Sequence, residues 1–320
     1  MPTIDLPLDE LRAYAGRNPR PPDFDDYWAA ALAELDAVAP EVAVEPVDVP
    51  SVIAECADLW FTGVGGARVY AKYLRPRAAD AAHPGVVVFH GYSMGSPDWS
   101  SLLPLVSQGY SVLAMDCRGQ GGRSEDVGGV TGNTLHGHII RGLAQSPEHL
   151  LYRSIFLDAV EAARILMALP GVDADRVGAT GWSQGGGLTL ACAALEPRVR
   201  AAAPVYPFLS DYLRVWELDL AEAAYSELRE YLRRFDPTHQ HVDEMFRALG
   251  HIDVQHLAPR IRAQVLMITG LMDEICPPST QFAAYNAIRA PKEMVLYPDF
   301  GHEDLPGAHD RIMAFFAGSL

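Results

Sequence analysis

Six short apolar runs punctuate the chain, at 86–89, 112–115, 177–180, 202–205, 265–268 and 294–297, and none shows strict alternation with polar residues. Helix-patterned stretches at 151–169, 279–288 and 307–316 separate or follow most of them. Buried strands interleaved with helices predict an α/β fold, a mostly parallel central sheet with helices on both faces. Upstream, a helix-like segment spans 24–35, and extended stretches at 57–62 and 67–74 flank Gly63-Val64-Gly65-Gly66. Glycines between two such stretches predict a hairpin. The interval 208–262 is long, charged and tyrosine-rich, and predicts a mostly helical insertion after the sixth strand, over the sheet's carboxyl end. One domain across 1–320 is expected, with a helical and hairpin extension over about 1–80 and the insertion over about 208–262.

Chemistry concentrates at Gly181-Trp182-Ser183-Gln184-Gly185, between the run ending at Thr180 and the helix-forming stretch 188–195. A strand, a Gly-x-Ser-x-Gly turn and a helix make the nucleophile elbow of an α/β-hydrolase. A serine hydroxyl is a poor nucleophile until a base takes its proton, and an acid must orient that base. Hydrolase order places the acid after a late strand and the base after the last one. Asp273 stands just beyond the run 265–268, with Glu274 as the adjacent competitor, and His302 follows the final run beside Gly301. His136, His138, His149, His239, His241, His251, His256 and His309 have no strand terminus before them; His83 precedes its strand, which puts it at the wrong end of the sheet. Two amides must face the oxyanion of the tetrahedral intermediate. Gln184, directly after the nucleophile, supplies one, and Tyr92 in His90-Gly91-Tyr92-Ser93 is the candidate for the other.

Charge narrows the partners. With 25 Lys and Arg against 41 Asp and Glu, the net charge of −16 argues against nucleic acid and anionic membranes. At 49% hydrophobic the chain can bury a large core, yet no apolar stretch reaches membrane-spanning length. The first residues offer no secretory signal pattern. Cys56, Cys117, Cys192 and Cys276 lie far apart without a C-x-x-C, so no metal site and free thiols in the cytoplasm are expected.

The assembled motifs resemble the acetyl xylan esterases and cephalosporin C deacetylases, carbohydrate esterase family seven. The similarity runs through His90-Gly91-Tyr92-Ser93, Asp98-Trp99-Ser100, Arg118-Gly119-Gln120, Gly181-Trp182-Ser183-Gln184-Gly185-Gly186, Gly270-Leu271-Met272-Asp273, Cys276-Pro277-Pro278 and Gly301-His302-Glu303. It implies Ser183 as nucleophile, His302 as general base and acid, Asp273 as its orienting residue, and the amides of Tyr92 and Gln184 as oxyanion hole. Arg118 and Gln120 would brace the surrounding loops. A small acetylated substrate, no metal or organic cofactor, and a homohexamer built as a dimer of trimers are further implications. The loop Ser93-Met94-Gly95-Ser96-Pro97 and Cys117 depart from the family pattern. A peptidase or longer-chain esterase of the same fold is the rival reading, and a catalytically silent binding module a more distant one. For assembly, the hairpin at 63–66 is expected to offer an open strand edge. Tyr206, Tyr212, Trp216, Tyr225 and Tyr231 suit an interface, with packing on the chain's own sheet as the alternative.

Overall fold

The computed structural model describes residues 4–79, 82–127, 134–220 and 222–320. Among the described residues, nine strands form the sheet: β1 Ala43–Val47, β2 Ala54–Thr62, β3 Arg68–Pro76, β4 His83–Phe89, β5 Ser111–Met115, β6 Val172–Trp182, β7 Ala201–Val205, β8 Gln264–Gly270 and β9 Lys292–Tyr297. Their spatial order is β1-β2-β3-β5-β4-β6-β7-β8-β9. The first three pair antiparallel, β3 runs antiparallel to β5, and everything from β5 to β9 is parallel. All six apolar runs are therefore strands, and the segments at 57–62 and 67–74 form the expected hairpin through Gly65, whose φ of 70° suits glycine.

Strand β1 escapes the hydrophobic pattern. Its three central residues are exposed and one is Pro46, which an edge strand tolerates because one row of its backbone groups faces water. Two corrections follow. The insertion lies where expected, after the run 202–205, but β1 shifts the count so that this strand is the seventh, and the hairpin is no open edge, because β1 covers β2. The edges are β1 and β9.

Alternate residues of the central strands enter two different cores, as a period of two requires. Val87, Phe89, Leu113, Met115, Ala202, Val265 and Met267 face α4 Leu151–Ala168 and α5 Gln184–Leu195. Val86, Val88, Val112, Ala114, Ala201, Ala203, Leu266 and Ile268 face α3 Trp99–Ser107 and α11 Ala308–Ser319. Ahead of the sheet lie α1 Leu8–Ala13 and α2 Phe24–Asp36. In α2 the residues Phe24, Trp28, Ala31 and Leu35 recur at helical spacing and are buried. Trp28 stacks on Phe156 of α4 at 5.8 Å and donates its indole N–H to the His251 carbonyl at 2.9 Å.

The insertion is helical: α6 Tyr212–Glu217, α7 Ser226–Phe235, α8 Val242–Leu249 and α9 Val254–Leu257, after which α10 Pro278–Ala287 returns to the main layer. Tyr206, Tyr212 and Tyr225 are buried within the chain, and Trp216 and Tyr231 lean against the same core. These aromatics pack on the chain's own framework, so the interface expected from them is withdrawn.

A carboxylate pair ties the N-terminal segment to the insertion. Asp211 accepts from the Tyr14 hydroxyl at 2.8 Å and from the Asn18 amide at 2.8 Å, and its own N–H donates to Asp253 at 2.9 Å. Burial, then the neighbouring Asp211, pushes the Asp253 carboxyl up to about 8. A raised carboxyl stabilises the fold fully below its unfolded value and loses that contribution as pH climbs through its folded value. Stability is therefore expected to decline between about pH 4 and about pH 8, with a flatter decline in Asp253→Asn. Thermal melts across that range check it; parallel profiles for the two proteins would defeat the assignment.

Candidate active site

At the junction of β6 and α5 the backbone of Ser183 adopts φ 58° and ψ −118°. A side-chain-bearing residue there costs on the order of 1–3 kcal/mol, so its surroundings must hold it. The Ser183 N–H donates to the Val205 carbonyl at 3.0 Å, and its carbonyl accepts from Gly187 at 3.1 Å and Phe208 at 3.0 Å. The flanking glycines are sterically required: a Cβ on Gly181 would lie 2.6 Å from Gly185 backbone, and one on Gly185 would lie 2.2 Å from the Phe89 carbonyl oxygen. Ser183 is half-buried at the head of α5, whose first N–H groups have no partner inside the helix.

The loop after β8 carries Asp273, fully buried, and the loop after β9 carries His302, partly exposed. Nδ1 of His302 lies 2.9 Å from Asp273 Oδ2. The other carboxylate oxygen accepts from the amides of Ile275 at 2.9 Å and Cys276 at 2.7 Å, and Gln281 donates to Oδ2 at 3.3 Å. Both carboxylate oxygens thus face donors, and an Nδ1–H given to Oδ2 would leave His302 Nε2 with a lone pair. Of the two adjacent carboxylates, Asp273 carries the contact to His302 and Glu274 is exposed. Cys276 is buried in the same cluster, and burial pushes its thiol well above the usual range.

The loop after β4 is held to the elbow by uncharged groups. Gln120 and Gln184 exchange amide hydrogen bonds at 2.9 and 3.1 Å, and Gln184 Oε1 also accepts from the Tyr152 hydroxyl at 2.7 Å. Gln120 Oε1 accepts from the Ser93 amide at 3.0 Å, which fixes the loop next to Tyr92. Tyr92 packs its ring on His138 at 4.9 Å and Phe208 at 5.9 Å. His90 is buried, accepts from the Cys117 amide at 2.9 Å through Nε2 and sits 2.7 Å from the Gly91 carbonyl through Nδ1. Desolvation lowers its pKa, so it is a neutral strut.

Two buried charged side chains act as braces, and only the first, Arg118, was singled out from the sequence. Arg118 is fully buried and forks onto Asp158 of α4 with two bonds of 2.6 Å, while its third arm reaches the Val64 carbonyl at 2.8 Å. Glu227, in the first turn of α7, accepts from four consecutive amides, Gly137 to Ile140, at 2.8 to 3.3 Å. That clasp holds a segment whose Leu135 carbonyl accepts from the Ser93 hydroxyl at 2.6 Å. In the sequence Glu227 reads as an ordinary helix-surface charge.

A cavity of about 510 Å³ opens between α3 and α11, lined by Met94, Leu105, Trp182, His309, Ile312 and Met313. It is apolar, and Ser183 does not line it, because Thr180 and Trp182 face the side of β6 opposite the serine.

Sheet order, helix layers and a serine at the β6–α5 elbow define a hydrolase of the α/β-hydrolase fold. The profile described as acetyl xylan esterase (AXE1) matches residues 1–319. The chain belongs to the acetyl xylan esterase family, and is a carboxylic ester hydrolase. It is similar to acetyl xylan esterase 1 from Thermoanaerobacterium sp. JW/SL YS485, with 55% identity and a TM-score of 0.95 over 98% of this chain and 99% of that one. The acetyl xylan esterase from Paenibacillus sp. R4 is 35% identical, with a TM-score of 0.93 over 98% of this chain and 100% of that one. Among curated proteins, acetyl esterase Axe7A of Xylanibacter ruminicola is 28% identical over 87% of this chain, and the match spans 62% of that relative's length. Among the described residues, no helix is long and apolar enough to cross a membrane.

Proposed function

We propose that the chain removes acetyl groups from small acetylated substrates, such as xylo-oligosaccharides, other sugars and cephalosporin C-like esters, through an acyl-enzyme on Ser183. The observation that carries this reading is the strained serine at the elbow in a chain whose late loops join His302 to Asp273 at 2.9 Å. His302 Nε2 takes the Ser183 proton as the hydroxyl attacks the acetyl carbonyl, and Asp273 stabilises the imidazolium that forms. The amides of Gln184 and Tyr92 receive the oxyanion. His302 then protonates the leaving alcohol, and in the second half-reaction it activates water against the acetyl-serine. The triad supplies nucleophile, base and acid, so no step calls on a metal or organic cofactor.

The names of the relatives support the acetyl preference. Rates on p-nitrophenyl esters are expected to fall steeply from acetyl to butyryl and beyond, because added methylenes must be fitted into a site built for a methyl group. Equal rates on octanoyl esters, or turnover of peptide amides in preference to acetyl esters, would favour the rival readings.

The proposed assembly is a homohexamer, a dimer of trimers enclosing the active sites. Edge strand β1 and the segments flanking it support a subunit contact, since Val42, Val44, Val52 and Ile53 are all exposed there. Light scattering should report six chains, and intact polymeric xylan should be deacetylated far more slowly than short oligosaccharides; a monomer mass would reject this assembly. Four buried free thiols fit the proposed cytoplasmic location.

A further inference from the structure

Beside the proposed nucleophile, three chemically different ligands converge. A carboxylate oxygen of Asp273, the sulfur of Cys276 and a ring nitrogen of His302 all lie within 4.8 Å of one another. No cysteine pair takes part, so cysteine spacing in the sequence is silent about the group. Zinc-type bonds of roughly 2.0–2.3 Å place tetrahedral ligands roughly 3.3–3.8 Å apart, so small side-chain shifts bring all three onto one ion. We infer that Asp273, Cys276 and His302 form an inhibitory site for one thiophilic divalent cation, zinc or cadmium in class, with water or the Ser183 hydroxyl in the fourth position.

The inference rests on the reading of His302 and Asp273 as catalytic base and orienting acid, but the binding itself does not. Sulfur with imidazole and a single carboxylate selects soft and borderline cations over magnesium or calcium, which prefer an all-oxygen shell. Asp273 and Cys276 are fully buried, whereas His302 keeps part of its ring exposed, so the ion reaches them from the His302 side. On binding, the ion displaces the thiol proton to solvent and converts sulfur to a thiolate ligand, and where Nδ1 is the ligating nitrogen its proton passes through solvent to Nε2. The carboxylate and imidazole now serve the ion, and Ser183 loses its proton acceptor. Substrate and cation then compete for one place.

Cadmium tests this directly, because a cadmium–thiolate bond adds a charge-transfer band in the ultraviolet. Titrating cadmium chloride into the full-length protein should raise that band to saturation at one equivalent and suppress acetyl-ester hydrolysis in parallel. Magnesium chloride should do neither. In Cys276→Ala the band should vanish, and the remaining activity should need at least about tenfold more cadmium for half-inhibition, since even outer-shell losses weaken metal sites 10–100-fold. Ser183→Ala, read by absorbance alone, should keep the band, which separates the site from the activity. A band and cadmium sensitivity that both persist in Cys276→Ala would overturn the inference, as would no band in the wild-type protein. A Cys276-dependent band with unimpaired turnover would uphold the metal site and reject His302 and Asp273 as catalytic groups.

Discussion

Ser183→Ala is expected to lower kcat by about 10⁴- to 10⁶-fold, with His302→Ala in the same range and Asp273→Asn near 10⁴-fold. The triad members act as one unit, so combining the substitutions should cost little beyond the worst single change. Position 183 offers a control that separates chemistry from folding. Its positive φ is strained for alanine but not for glycine, so Ser183→Gly should be as inactive as Ser183→Ala yet more stable by about 1 kcal/mol. Initial rates with a chromogenic acetyl ester, alongside denaturant melts, measure both. A folded Ser183→Ala that retained most of its turnover would sink the assignment of the nucleophile.

The second large effect belongs to Arg118. Arg118→Met leaves Asp158 buried without its partner and strips the Val64 carbonyl of a donor, at a cost of about 3–5 kcal/mol. Pairing it with Asp158→Leu removes both charges and should recover most of that loss, because desolvation of the ion pair offsets much of its attraction. Space at the turn is already tight: a Cβ on Gly63 would lie 2.2 Å from an Asp158 oxygen. Urea denaturation of both variants gives the comparison. If the double variant is no more stable than Arg118→Met, the pair contributes through packing around the hairpin rather than through charge.

The parallel strands were legible because both faces are buried, which writes continuous apolar runs into residues such as 86–89 and 265–268. Ser183, Asp273 and His302 stood out because each follows a strand end, and their proposed roles rest on that placement after β6, β8 and β9. Strand β1 was not, since an exposed edge imposes no apolar pattern, and the expected open edge at the hairpin vanished with it. The insertion's tyrosines show a different limit. Aromatic residues among charges suit an interface or a buried layer equally well, and only the packing of Tyr212 and Tyr225 against the core decides. Glu227 shows a third, since its partners are main-chain amides that carry no residue-type signature.

The brace between the elbow and the loop after β4 consists of two carboxamides and a phenol, Gln120, Gln184 and Tyr152, none of which carries charge near neutrality. Electrolyte screens the surface ion pairs, such as Arg123 with Asp58, but leaves neutral buried hydrogen bonds almost unchanged. The geometry of this brace is thereby decoupled from ionic strength. In brine or dilute buffer kcat should hold steady, and any salt effect should surface in KM, as a change in how a substrate approaches a strongly anionic surface.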